Sequence, residues 1–216
     1  MTITAATILD SVRKTTLDGA ARAYSNDELL MFLTEALRST AGEKLDFYTK
    51  CEFVTLVAGE LQQIPADGVG VLNVIRNSVA NGGRVITQVQ RDLLNEASRF
   101  WPAGTRQAQV EHFTTDPRDP LRYQVFPPNN GAGSVELLYG ACPPEVTSVD
   151  QEMVVLDVYE GALVNYVLAK CYGVSSKKQD LAKFNGYMGQ YRQTMGLKTK
   201  SQYALAPRVA ENGDAQ

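Results

Sequence analysis

Ile8, Leu9 and Val12 share one face at helical spacing, which predicts a first helix over residues 4–15. Ser25, Asn26, Asp27 and Glu28 read as a capping box: the serine hydroxyl accepts from the amide three residues on, and Glu28 reaches back. Leu29, Leu30, Leu33, Ala36 and Leu37 then form an apolar stripe, so a second helix is expected to run to about residue 39.

From Phe47 the period changes to two. Residues 51–57 alternate and are rich in β-branched side chains, and Ala58, Gly59 and Glu60 turn the chain into 61–64, which predicts a hairpin. A further strand is expected over 69–79. Asn81, Gly82 and Gly83 signal a turn before another at 84–89. Residues 91–100 read as a short helix stopped by Trp101 and Pro102. Three more strands are expected over 109–114, 121–126 and 134–139, separated by loops at 116–120 and 127–131.

Helical patterning then returns. Residues 156–172 are apolar on nearly all sides, as in a helix packed on several neighbours. Ser175 and Ser176 are placed to cap a last helix over 177–195, whose seam is Leu181, Phe184, Met188 and Tyr191, continuing to Met195, with Gly196 as its stop. The expected class is α+β: the N- and C-terminal helices form a four-helix bundle with an inserted, small antiparallel β-rich domain and an extended C-terminal tail. The expected boundaries are 1–45 and 146–196 for the bundle, 46–145 for the insert and 197–216 for the tail.

Composition narrows the class. The chain has 216 residues, 44% of them hydrophobic and 21% charged, with a net charge of −3. This suits a globular protein and disfavours one that grips nucleic acid over its whole surface. The cysteines Cys51, Cys142 and Cys171 are odd in number and lack metal-site spacing, so neither zinc nor a disulfide framework is expected, and a reducing cytosol fits. Residues 1–4 show no basic region leading into an apolar stretch, so no signal peptide is expected. The apolar run at 154–172 is interrupted by Asp157, Glu160, Asn165 and Lys170 and reads as a buried helix, not a membrane span.

Catalytic candidates are few. A nucleophile pair would have to use His112, the single histidine, yet no turn of the GxSxG kind presents a serine. Gly68 and Gly70 suggest a phosphate loop only weakly, because Asn73 stands where a third glycine is needed. Asp116 and Asp119 could pair as carboxylates or metal ligands, but Pro-flanked aspartates ordinarily serve turn geometry. Asp157 and Glu160, three apart, suit a helix start, where acidic groups favour the dipole, or an arginine partner in the bundle. No cofactor is implied. Between 177 and 208, Lys177, Lys178, Lys183, Arg192, Lys198, Lys200 and Arg208 face only Asp180, either as a solvated helix face or as a surface for an acidic partner or for DNA.

Several stretches in this order resemble the head–tail adaptor (connector) proteins of tailed bacteriophages, in particular those of short-tailed phages. They are Asn26-Asp27-Glu28-Leu29-Leu30, the hairpin-like run at 57–68, His112-Phe113 followed by Asp116-Pro117-Arg118-Asp119-Pro120 and Val125-Phe126-Pro127-Pro128, then Val135-Glu136-Leu137-Leu138-Tyr139 and residues 156–168. The resemblance spans about residues 8–196. It implies a non-enzymatic virion protein at the head–tail junction, assembled in the host cytoplasm. Such a protein forms a homo-oligomeric ring, commonly a dodecamer, between the portal and the tail nozzle, with double-stranded DNA in its lumen and no membrane partner. The C-terminal segment, with Lys198, Lys200, Tyr203, Leu205 and Arg208, is the expected portal contact together with the helical bundle, and the β domain is expected to point toward the tail. Two alternatives remain at this point. One is another ring of the same junction, a stopper or tail terminator. The other is a cell-wall hydrolase, for which Glu136 or Glu160 would be the acid. A sequence-specific DNA regulator is disfavoured, because no short basic recognition helix follows a turn.

Overall fold

The computed structural model describes residues 3–97, 99–174 and 179–205, with 197–205 as backbone. Two compact units divide the chain, one from Met1–Ala36 with Val146–Gln216 and the other from Leu37–Glu145.

The first unit is mainly helical. A short strand β1 (Ile3–Thr4) pairs antiparallel with β9 (Glu152–Met153) and leads into α1 (Ala5–Thr16), which buries Ala5, Ile8, Leu9 and Val12. The capping box forms at α2 (Asn26–Glu43): the Ser25 hydroxyl accepts from the Glu28 amide at 3.2 Å, and the Ser25 amide donates to Glu28 Oε2 at 2.9 Å. After a 3-10 turn at Asp157–Tyr159, α4 (Glu160–Gly173) buries seven side chains on several faces, Tyr166 and Cys171 among them. Asp180 caps α5 (Leu181–Leu205), its carboxylate accepting from the Lys183 amide at 3.1 Å. The expected cap at Ser175 and Ser176 lies outside the described residues.

These helices do not make the expected four-helix bundle. α4 packs against α1 and α5, and Gly173 admits the Phe184 ring so closely that a Cβ there would lie 2.8 Å from it. The apolar stripe of α2, however, is divided. Leu29, Leu30, Leu33 and Ala36 are buried in the helical unit, whereas Leu37, Thr40 and Ala41 are buried within the span of the other. With α2 divided between the two units, the four helices do not stand together in one unit as a bundle requires. Nor does the chain leave helix at Gly196: α5 continues through it to Leu205, so the expected extended tail is corrected there, and 206–216 lie outside the described residues.

Asp18 organises the loop between α1 and α2. Its buried carboxylate accepts from the amides of Arg22 (2.9 Å), Ala23 (3.0 Å) and Tyr24 (3.0 Å) and meets Arg13 at 3.4 Å. Burial alone would raise its pKa, but the three amides and the guanidinium together hold it below the ordinary 3.8. A depressed carboxylate stabilises the fold above its unfolded pKa, and the contribution is lost as pH falls through the folded value. Asp18→Asn is therefore expected to be less stable than the parent at neutral pH. In urea titrations the gap should be full above pH 3.8 and narrow below it.

The second unit is β-rich. Its strands are β2 (Thr49–Thr55), β3 (Gly59–Gln63), β4 (Gly68–Asn77), β5 (Thr87–Gln88), β6 (His112–Asp116), β7 (Asp119–Asn129) and β8 (Ser134–Ala141), with α3 (Arg91–Ala97) between β5 and β6. They form one sheet ordered β2-β8-β4 and another ordered β3-β7-β6-β5. All pairs are antiparallel except β5 with β6, which is parallel and departs from the purely antiparallel insert expected. Leu56, Ile64, Val74, Phe113, Tyr123, Val125, Leu137 and Tyr139 lie in a common core. Gly140 meets the Leu45 backbone, where a Cβ would lie 2.5 Å from the carbonyl oxygen.

The expected hairpin at 51–64 is absent. β2 pairs with β8 (Thr49↔Gly140 to Thr55↔Ser134), and β3 pairs with β7 in the other sheet. The intervening turn is tight, with Gly59 at φ 121°, but a side chain closes it. Buried Gln62 accepts from the Val57 amide at 2.8 Å and donates to the carbonyls of Val57 (2.9 Å) and Gly59 (3.1 Å). That amide takes the bonds a ladder partner would have made, which frees the two strands to separate. β7 also extends through Pro127 and Pro128, expected as loop, with a cis peptide at Phe126–Pro127.

Candidate functional site

The catalytic candidates disperse into structural roles. His112 lies on β6, its ring stacked on Phe126 at 6.1 Å, and its buried Nδ1 has no hydrogen-bond partner among the described residues. It therefore lacks the orienting contact that a general base requires. Asp116 accepts from the Arg118 amide at 2.9 Å in the β6–β7 turn, and Asp119 pairs with Arg122 at 3.7 Å. Gly68, Gly70 and Asn73 all lie in β4. Asp157 sits in the 3-10 turn and Glu160 in the first turn of α4, where a carboxylate complements the dipole.

Glu136 faces out of β8. It holds Arg76 Nε at 2.5 Å and contacts Cys51 Sγ at 3.8 Å, while Arg76 lies 5.8 Å over the Phe53 ring. Partial burial, then the Glu136 charge, pushes the Cys51 thiol up, away from the thiolate a nucleophile needs. On the opposite face Tyr139 donates toward Glu52 (2.8 Å) and Asp67 (3.2 Å), and Lys50 pairs with Asp67. The Lys50 hydrogen bond holds the Asp67 carboxyl below its ordinary range. These groups tie β2, β8 and the loop before β4. No group of three or more His, Cys, Asp or Glu side chains suited to a metal occurs among the described residues, and none of their helices is long and apolar enough to cross a membrane.

Of the expected seam, Tyr191 is buried and Phe184 and Met188 are half-buried, while Leu181 is 60% exposed. Two aromatic contacts join α4 to α5: Tyr166 meets Tyr191 edge-on at 5.2 Å, and Tyr172 stacks on Tyr187 at 5.9 Å. Tyr187 was missing from the sequence-derived stripe. Lys183 pairs with Asp180 at 3.7 Å and lies 4.8 Å over the Tyr172 ring, and Arg192 is exposed. Lys198, Lys200, Tyr203 and Leu205 fall on the last turns of α5; Arg208, like Lys177 and Lys178, lies outside the described residues.

Sequence reasoning read a turn, a strand at 84–89 and a short helix at 91–100 in the excursion between β4 and β6, residues 78–109, but no functional group there. Apolar anchors at Ile86, Leu94 and Trp101, and Val110 just beyond it, are buried, whereas Arg84, Arg91, Arg99 and Arg106 are exposed. Asn77, 1% exposed, fastens both ends: its side-chain amide donates to the carbonyls of Arg84 (3.0 Å) and Val110 (2.7 Å), and its oxygen accepts from the Val110 amide (2.8 Å). The signal available was arginine recurring every seven or eight residues without lysine.

A family model described as "SU10 adaptor protein" matches residues 3–210. No curated protein matches the chain.

Proposed function

The chain belongs to the SU10 adaptor protein family, a family of bacteriophage adaptors, and on that premise we propose that it is a ring subunit completing the DNA channel between portal and tail nozzle. The single observation that supports this most is the extent of the match, which takes in both units and not a shared module alone. The dispersal of His112, Asp116 and Glu136 into a ring stack, a turn and an ion pair supports a structural part over an enzymatic one. A closed ring needs heterologous contacts, one face of a copy meeting a different face of the next. The helical unit and the basic C-terminal segment make the portal contact, and the β-rich unit meets the tail side. Packaged duplex DNA is retained by the completed channel.

The test is electron microscopy of the purified chain mixed with portal. Rings of this chain stacked on portal are the expected result, and no association would defeat the reading. Reversing charge with Lys198→Glu and Lys200→Glu should weaken portal association about tenfold or more, because like charges across an interface repel. Association unchanged by that pair would remove the C-terminal segment from the contact.

A further inference from the structure

The excursion at 78–109 holds four arginines, two carboxylates (Asp92 and Glu96) and no lysine, in a chain whose net charge is −3. None of Arg84, Arg91, Arg99 and Arg106 forms an ion pair with a described residue. Each precedes a buried anchor by two to four residues: Arg84 before Ile86, Arg91 before Leu94, Arg99 before Trp101 and Arg106 before Val110. Each arginine therefore stands close in sequence to a side chain held in the core, which limits the chain ordering that engaging a ligand would cost. Between them stand exposed Thr87, Gln88, Gln90, Thr105 and Gln107, whose hydroxyls and amides donate readily to phosphate oxygens.

We infer that this excursion is a contact surface for the phosphate backbone of duplex DNA. The inference rests on the channel reading above, which brings a duplex within reach of each copy. Guanidinium matches phosphate in charge and in planar donor geometry, which favours arginine over lysine at such a surface. The contact is independent of sequence. The one α-helix among the described residues of the excursion, α3, has seven residues and includes both carboxylates, so it is unsuited to entering a groove. Four phosphate contacts per copy predict a log–log salt slope of about −3.6, equivalent to about 150-fold weaker binding between 50 and 200 mM salt. Such contacts center the duplex at low occupancy cost and release it readily.

The experiment is fluorescence anisotropy of a labelled random-sequence duplex with the full chain over a NaCl series. The parent should show a slope near −3.6. Changing Arg84, Arg91, Arg99 and Arg106 to Gln should reduce affinity at least tenfold at low salt and flatten the slope. Changing the same four to Lys should preserve the slope, since the charge is kept. A control with Lys14, Arg22, Arg38 and Arg118 changed to Gln, all exposed and outside both the excursion and the C-terminal segment, should keep both affinity and slope. The inference is overturned by a salt-independent parent, by a Gln variant that binds like the parent, or by a control that loses as much. Portal association scored on the same samples separates the two readings. Parent protein that stacks on portal while ignoring DNA overturns the surface alone, and parent protein that fails to stack overturns the ring.

Discussion

Replacing Trp101 by alanine should destabilise the β-rich unit by about 3–5 kcal/mol, the usual cost of emptying a buried tryptophan site. Trp101 is 2% exposed, its ring meets Phe126 edge-on at 6.3 Å, and its indole N–H donates to Asn95 at 3.0 Å. It is the side chain that fastens the far part of the excursion to β7. Its loss leaves a cavity beside Phe126, while the Asn95 side chain, which is exposed, turns to water, so the lost volume carries the cost. Trp101→Phe keeps the ring contact and gives up the indole bond, so it should recover more than half of the loss. Urea unfolding followed by circular dichroism measures both, which is necessary because Trp101 is the only tryptophan available for fluorescence. An alanine variant within 1 kcal/mol of the parent would show that the anchor is not structural.

Asn77→Ala should cost about 3 kcal/mol, through hydrogen bonds and not volume. The side chain satisfies the N–H and C=O of Val110, a residue 1% exposed, and shares the Arg84 carbonyl with its own backbone amide. Alanine leaves the Val110 pair buried and unmatched, the expensive way to lose a hydrogen bond. Asn77→Asp should fare no better, because a carboxylate cannot donate to the two carbonyls and would have to be desolvated. The distinguishing measurement is amide exchange at Val110, which should accelerate in Asn77→Ala far more than at Val125, in β7 and in the same hydrophobic core. Equal acceleration at both would mean global loosening and not the loss of a local tie.

Much of the local structure was legible because it is written in short range. The Ser25–Glu28 box, the stripe of α1, the turn at Gly82 and Gly83 and most strand positions depend on neighbours a few residues apart. Partner choice is not local. Ala58 and Gly59 promise a hairpin on any propensity scale, and only the buried amide of Gln62 shows that the turn is closed from within and the strands are free to part. The stripe of α2 looked single because periodicity records which face is apolar, not where the chain divides into units. Gly196 read as a stop, yet α5 passes through it as it passes Gly186 and Gly189, since each glycine costs a helix only about 1 kcal/mol. The arginines of the excursion were not legible as a group, because a seven- or eight-residue spacing in irregular chain matches no element period, and only burial of the anchors reveals the order.

The separation of β2 from β3 also sets a timetable. Thr55 pairs with Ser134, so β2 leaves the ribosome long before its partner exists. At about 5–20 residues per second, synthesis of the intervening chain takes roughly 4–16 s. Throughout that interval a β-branched strand with Phe53 on its surface waits unpaired, open to the same strand on a neighbouring nascent chain. Yield of this protein at high expression should therefore depend on elongation rate and chaperone supply more than on the final stability of the fold.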